Sequence, residues 1–112
     1  MATSKSPDWA SEALVFSGRP NPTWGVPEPA ARRLLSEWDG LATRPPTRSA
    51  APALGYRGCV LRGAGGREWR AFGGAVDLVG PDEVEGRADP GRAWERALLS
   101  TAPAGALPPI EL

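Results

Sequence analysis

The strongest periodic pattern of apolar residues in this chain begins after Pro27. Apolar residues recur there at spacings of three and four, which places them on one side of a helix. They are Ala31, Leu34, Leu35, Trp38 and Leu41. Pro29 suits the first helical turn, and Gly40 suits a C-terminal stop. The pattern therefore predicts an amphipathic helix that ends near Gly40.

A second helical pattern lies closer to the C-terminal end of the sequence. Asp89 precedes Pro90, an order typical of an N-cap followed by the first helical residue. Helical spacing then continues through Trp94, Ala97, Leu98 and Thr101. We predict a second amphipathic helix over roughly residues 90–101, and we expect Trp38 and Trp94 to be the central side chains between the helices and a sheet.

Short apolar runs bounded by turn-forming residues indicate strands. ALVF at residues 13–16 and TWGV at residues 23–26 flank the bend SGRPNP. Two later runs, LGYRGCVLR and REWRAFGGAVDLVG, predict a β-hairpin with the turn GAGG between them. Within the second run, Gly73-Gly74 marks a bulge or a second bend. PDEVEGRA, residues 81–88, is polar and predicts a turn.

These elements predict an α+β fold: a small antiparallel sheet of three to four strands packed against two helices, in the order β-(β)-α-β-β-α. The 112 residues are enough for one domain. We expect a flexible N-terminal tail over residues 1–10, a single domain over residues 11–102 and a Pro-rich C-terminal tail over residues 103–112. Residues 42–53 hold three Pro and no large apolar residue, so they predict a surface connector.

Charge and composition restrict the expected partners. Thirteen basic residues balance thirteen acidic ones, so the chain lacks the positive field used by nonspecific binders of nucleic acids or anionic membranes. Neither is expected as a partner. The single Cys cannot form an internal disulfide, and no segment has the pattern of a signal peptide or a membrane span. We therefore expect a soluble, cytoplasmic protein.

The chain contains no His, which removes the commonest general base and the commonest neutral metal ligand. No metal and no cofactor are expected, because the carboxylates are not spaced like a calcium loop and the glycines match no phosphate-binding loop. Cys59 would need a cationic neighbour such as Arg57 to act as a nucleophile. A small buried core residue is the simpler interpretation of Cys59. We predict no catalytic residue.

The segment SGRPNPTW is the best candidate for a binding loop. Pro20 and Pro22 each restrict their own backbone and that of the preceding residue, so the loop is stiff before any ligand arrives. It offers a hydroxyl, a guanidinium and an amide beside an indole ring, on Ser17, Arg19, Asn21 and Trp24. These groups suit a carboxylate, a sugar or a backbone segment. Alternatively, Arg19 bonds loop carbonyls and Asn21 caps the turn, which makes the loop structural.

Three motifs occur together in this chain: SGRPNPTW, LGYRG and DPGRAWERALL. The combination resembles a group of small single-domain proteins of unknown function with SGRPNP-x-W, LGYRG and D-x-x-R-x-x-E-x-x-LL. The resemblance covers most of residues 13–100 and implies no activity. It implies that motif residues form one unit, namely Ser17, Arg19, Pro20, Asn21, Trp24, Tyr56 and Arg57, with Arg92 and Glu95 of the last helix. Cys59 stands where a larger apolar residue is expected, which argues against a catalytic thiol.

Three hypotheses for function follow. The first is a non-catalytic binding module that uses the SGRPNPTW loop with Tyr56 and Arg57 to hold a small anionic or polar ligand or a protein segment. The second is a small enzyme without His or metal that uses Arg and carboxylate groups. The third is an oligomeric scaffold, which requires Trp9 or Trp69 to form an exposed apolar patch. We expect a monomer or a weak homodimer.

Overall fold

Seven strands form one sheet in a computed structural model that describes residues 9–15, 20–46 and 55–110 of the chain. The strands are β1 (Ala10–Ala13), β2 (Thr23–Gly25), β3 (Thr43–Arg44), β4 (Cys59–Arg62), β5 (Glu68–Phe72), β6 (Ala75–Val79) and β7 (Val84–Ala88). They lie in the order β2-β1-β4-β5-β6-β7-β3, and each neighbouring pair is antiparallel. The two edges are therefore the short strands β2 and β3.

The prediction of a sheet with three to four strands is wrong. The polar stretch 81–88 contains β7, and the expected connector 42–53 contains β3. Val84 is the one large apolar residue of β7, so this strand lacks the alternation that identifies a strand from sequence. It forms because its backbone pairs with β6 on one side and β3 on the other. With two short helices beside seven strands, the fold is only weakly α+β.

The first hairpin forms between β1 and β2, but β1 ends where the predicted ALVF strand begins. The apolar run ALVF was a poor guide to this strand because one buried position of β1 is polar: Ser11, two residues before Ala13. Ser11 is fully buried, and its hydroxyl donates a hydrogen bond to the carbonyl of Val60 at 2.7 Å. A buried hydroxyl with a partner costs little, so β1 can include it.

The central hairpins agree more closely with the sequence. β4 and β5 pair as predicted, with a single 3-10 turn, Ala64–Gly66, in the connection. Gly73 and Gly74 form the turn between β5 and β6, so the second bend occurs and the bulge does not. Both glycines have positive φ, 63° and 96°, which non-glycine residues rarely adopt.

Two helices cover one face of the sheet. Helix α1 (Glu28–Asp39) spans the predicted residues, whereas α2 (Ala93–Leu99) is shorter than predicted and follows a 3-10 turn at Pro90–Arg92. Trp38 and Trp94 are buried at the centre of this layer. The Trp38 indole donates to the Val76 carbonyl at 3.1 Å, and the Trp94 indole donates to the Leu34 carbonyl at 2.8 Å. The indoles therefore join helix to sheet and helix to helix.

Alternation along the strands separates an inner face, under the helices, from an outer face. Trp69 and Ala71 of β5 point into the core, so their neighbours Glu68, Arg70 and Phe72 point to the outer face. The buried core on the inner face comprises Ala13, Trp24, Val26, Ala31, Leu34, Trp38, Cys59, Leu61, Trp69, Ala71, Val76, Leu78, Trp94 and Leu98.

Trp69 is therefore buried, and Trp9 packs on it at 5.9 Å between ring centroids. The apolar surface patch that a scaffold requires does not form from these two residues.

Arg87 of β7, the strand next to the edge strand β3, joins the sheet to the end of α1. Its guanidinium lies over the Trp38 ring at 4.3 Å and donates hydrogen bonds to the carbonyls of Asp39 and Leu41, both at 2.9 Å. A cation at a helix C-terminus pairs with carbonyls that have no partner within the helix. Arg87 thereby holds β7 against the helical layer, which explains the position of this polar strand.

Residues 103–110 contain no helix or strand, and Leu107 packs against the core. Neither helix in the described part of the chain has the length and apolarity needed to cross a membrane.

Candidate functional site

Among the residues that the structure describes, the predicted site residues do not converge on one point. Ser17 and Arg19 lie outside the described residues. Asn21 closes the connection between β1 and β2: its side-chain carbonyl accepts from the backbone N–H of Val15, and its amide donates to Glu12 Oε2, both at 3.0 Å. These two bonds shape the connection and hold the Glu12 carboxylate in place. This part of the loop therefore has a structural role, through the Val15 backbone and the Glu12 side chain.

Trp24 lies in the core. Its side chain is buried, and the indole N–H donates to the Thr101 hydroxyl at 2.8 Å. The ring therefore ties β2 to the turn that follows α2.

Tyr56 and Arg57 precede β4 and serve different parts of the molecule. The Tyr56 hydroxyl donates to a carboxylate oxygen of Glu95 in the interior. Arg57 lines a groove on the outer face, and its backbone N–H donates to the Leu14 carbonyl at 2.7 Å. Two adjacent residues thus define two candidate sites, one buried and one open.

The buried candidate centres on Glu95, whose side chain is 0% exposed. Arg92 binds it with two hydrogen bonds, Nε to Oε1 at 3.0 Å and Nη2 to Oε2 at 3.1 Å, and Tyr56 adds a third. We call Tyr56, Arg92 and Glu95 the buried cluster. It joins the LGYRG motif to the last helix, so these residues of the two motifs do form one unit. The first motif contributes no described residue to it.

Asp89 supports the buried cluster by accepting hydrogen bonds from backbone N–H groups at the start of α2. Its Oδ1 accepts from the backbone N–H of Trp94 at 2.8 Å, and its Oδ2 accepts from that of Glu95 at 3.0 Å. Arg92 lies between them with a left-handed backbone, φ 58°, a conformation that costs a non-glycine residue roughly 1–2 kcal/mol. The carboxylates of Asp89 and Glu95 are thus both engaged by protein groups. The arrangement locks α2 in place.

The nearby thiol and phenol are protonated at neutral pH. Burial raises the pKa of the Tyr56 hydroxyl well above its ordinary value, and Cys59 and the hydrogen bond to Glu95 raise it further. Burial also raises the pKa of the Cys59 thiol to about 12, although a hydrogen bond with Tyr56 acts in the opposite direction. The thiolate is the nucleophilic form of cysteine. Cys59 is therefore a buried core residue, the simpler of the two interpretations of its sequence position.

These raised pKa values predict that the protein loses stability in alkali. Above about pH 9 the unfolded chain releases the Cys59 proton, and nearer pH 10 the Tyr56 proton, whereas the folded chain retains both. The folded state then binds more protons, so the free energy of unfolding falls by up to about 1.4 kcal/mol per pH unit for each group. Urea denaturation followed by tryptophan fluorescence measures this slope.

The matched control for the alkaline slope is Cys59→Ala, which removes one of the two groups. Its slope should be visibly smaller than that of the wild type from about pH 9 upward. Equal slopes in the two proteins would contradict the assignment to Cys59.

The open candidate is a line of ion pairs across the outer face. Arg62 reaches Glu12 Oε1 at 2.8 Å and Glu68 Oε1 at 2.9 Å, and Arg70 donates two hydrogen bonds to Glu68 Oε2, at 2.9 and 2.8 Å. With Asn21 bonded to Glu12, the line begins at the β1–β2 connection and ends on β5. Hydrogen bonding thus connects the described part of the SGRPNPTW loop to the outer face.

Glu68 stays ionised within this line. Burial by itself would raise its pKa, but hydrogen bonds from Arg70 and Arg62 outweigh burial and hold the pKa below its usual value. The carboxylate therefore keeps both guanidinium groups oriented at neutral pH.

A groove of about 410 Å³ lies beside the line of ion pairs. Val60 and Ala75 form its floor and are each 4% exposed. Phe72 adds an aromatic wall, and Arg57 and Arg70 are among the charged residues of the rim. We call this cavity the outer-face groove. Its apolar floor and charged rim are typical of small-ligand sites.

Sequence reasoning missed Arg62, Glu68 and Arg70. The signal was present in REWRAF, where charged residues alternate with Trp69 and Ala71 at the period of a strand. That alternation indicates a sheet face that carries charge, but not which other strands contribute to it.

Among the residues that the structure describes, no group of three or more His, Cys, Asp or Glu side chains could hold a metal ion. Comparison of the chain with protein-family models, curated proteins and solved structures finds no match.

Proposed function

We propose that this protein is a non-catalytic binding module and that a small polar or anionic ligand occupies the outer-face groove. The observation that carries the proposal is the groove itself, in which apolar side chains meet charged side chains of both signs on the face that the helices leave uncovered. Its volume lies in the range of cavities that bind small molecules.

The interior supports binding without catalysis. The carboxylates of Glu95 and Asp89 are engaged by protein donors, and the Cys59 thiol is protonated at neutral pH. A general base or a nucleophile needs a group that can exchange a proton or an electron pair with the substrate. No specific observation favours the enzyme hypothesis over binding.

The SGRPNPTW loop contributes to this proposal through Asn21. By holding Glu12, Asn21 orients one partner of Arg62, which lines the groove. Rigid support of this kind reduces the ordering that binding would otherwise require.

The test uses nuclear magnetic resonance titrations with hexanoate, 1-hexanol and hexylamine, which share one chain length and differ in charge. We expect at least one probe to shift the backbone amides of Val60 and Ala75 in the wild-type protein. Filling the floor by Ala75→Leu should abolish those shifts, because the added side chain occupies the apolar space.

The matched control is Ala30→Leu, an equal increase in volume at a half-buried position on α1. It should leave the groove shifts unchanged. If Ala75→Leu loses a dispersed spectrum, Val60→Phe fills the same floor from β4. The proposal fails when no probe moves the groove amides, or when the filled variants respond as the wild type does.

A further inference from the structure

Charged side chains of both signs surround the outer-face groove. Three arginines line it, Arg57, Arg62 and Arg70, with two carboxylates, Glu68 and Asp77. Glu12 also pairs with Arg62 at 2.8 Å, so the carboxylates at the groove equal the arginines in number. The ligand preference of the groove therefore depends on which hydrogen-bond donors are left over.

Glu68 does not satisfy the hydrogen-bonding capacity of its two arginines. A guanidinium has five N–H donors. Arg70 uses Nε and Nη2, both on one oxygen of Glu68, and Arg62 uses Nε and Nη1 on two different carboxylates. In the described part of the chain, Arg70 Nη1 and Arg62 Nη2 therefore have no carboxylate partner, while both Glu68 oxygens are already occupied. Two guanidinium N–H groups at the exposed rim are thus available to an acceptor on a ligand.

The second property of the groove is its apolar floor. Phe72 lines the groove with Val60 and Ala75, and its ring also packs against Tyr56 at 6.2 Å between ring centroids. A small inorganic anion would leave these apolar side chains uncovered. A molecule with an anionic head and an apolar tail would cover the floor and pair with the rim at once.

We infer that the outer-face groove selects an amphipathic carboxylate, with its head bound by Arg70 and Arg62 and its tail laid on Val60 and Ala75. This inference rests on the proposed function and adds the chemical class of the ligand. Glu68 acts as a positioning residue, because it holds both guanidinium groups at the rim before the ligand arrives.

Dissociation constants for the same three probes test the inference. Hexanoate should bind about tenfold more tightly than 1-hexanol, since a charge-assisted hydrogen bond is roughly twice as strong as a neutral one. Hexylamine should bind more weakly than either. Added salt should reduce the preference for hexanoate and leave 1-hexanol unaffected, because screening acts on exposed charges.

Arg70→Gln is the test variant and Arg32→Gln the matched control. Both remove one exposed positive charge, but Arg32 lies on α1, on the opposite side of the sheet. Arg70→Gln should weaken hexanoate binding about fivefold to tenfold without changing 1-hexanol binding. Arg32→Gln should change neither.

The outcomes separate the two proposals. If 1-hexanol binds the groove as tightly as hexanoate, or Arg70→Gln leaves hexanoate binding unchanged, the selection of anions is wrong while the binding module stands. If no probe moves the groove amides, the binding module itself is wrong and the inference falls with it.

Discussion

Arg92→Ala is expected to lower the free energy of unfolding by about 3 kcal/mol or more. The substitution leaves the Glu95 carboxylate buried with Tyr56 as its remaining side-chain donor. Removing one partner of a buried ion pair typically costs 3–5 kcal/mol, because the other charge stays out of water without compensation. Arg92 is itself 27% exposed, so water can reach part of the vacated space, which places the expectation at the lower end of that range. Urea denaturation at neutral pH measures it.

Two further variants separate the effect of the lost charge on stability from the effect of backbone strain at residue 92. Arg92→Gly removes the same guanidinium but tolerates the left-handed backbone at this position, so it should be about 1 kcal/mol more stable than Arg92→Ala. Adding Glu95→Gln to Arg92→Ala removes the unpaired buried charge and should recover part of the loss. If Arg92→Ala stays within about 0.5 kcal/mol of the wild type, an exposed pair in water is the better description, and the buried cluster does not lock α2.

Trp94→Ala is expected to cost about 3–5 kcal/mol. The side chain is 2% exposed and lies between α2, α1 and the sheet, so its removal leaves a cavity in addition to the lost burial. Domains of this size have total stabilities of roughly 5–15 kcal/mol. The variant should therefore be largely unfolded at moderate temperature. Thermal denaturation followed by circular dichroism provides the measurement.

Trp94→Phe isolates the indole hydrogen bond. It keeps most of the apolar volume but leaves the Leu34 carbonyl without its indole donor, which should cost about 1–3 kcal/mol. Arg96→Ala, an exposed change on the same helix, should remain within about 0.5 kcal/mol of the wild type. A Trp94→Ala protein as stable as Arg96→Ala would contradict the central position of Trp94.

The site could be predicted only in part. The sequence drew attention to Asn21, Tyr56 and Arg57 because polar groups beside prolines and glycines stand out. In the structure the Tyr56 hydroxyl points toward Glu95 and Arg57 lines the outer face, a separation that depends on the backbone path just before β4. Arg62 and Arg70 were not predicted as site residues because neither lies within one of the three sequence motifs. They matter because antiparallel pairing places β4 beside β5.

Elements that depend only on neighbouring residues follow from the amino-acid order. Helix α1 follows from apolar spacing and a proline in the first turn, and the turn at Gly73-Gly74 follows from the need for positive φ. Local sterics and one-sided burial set these features, so they can be read without the rest of the fold.

The extent of the sheet and the position of the charges depend on contacts between strands, which the amino-acid order does not show. β7 has almost no apolar signal of its own; it forms because two other strands supply hydrogen bonds and because Arg87 packs on Trp38. The charged residues of the outer-face groove lie on or beside β4, β5 and β6, and antiparallel pairing brings them together on one face. Backbone pairing depends on the partner strands as well as on the local residues, so the sequence of a strand such as β7 does not reveal it alone.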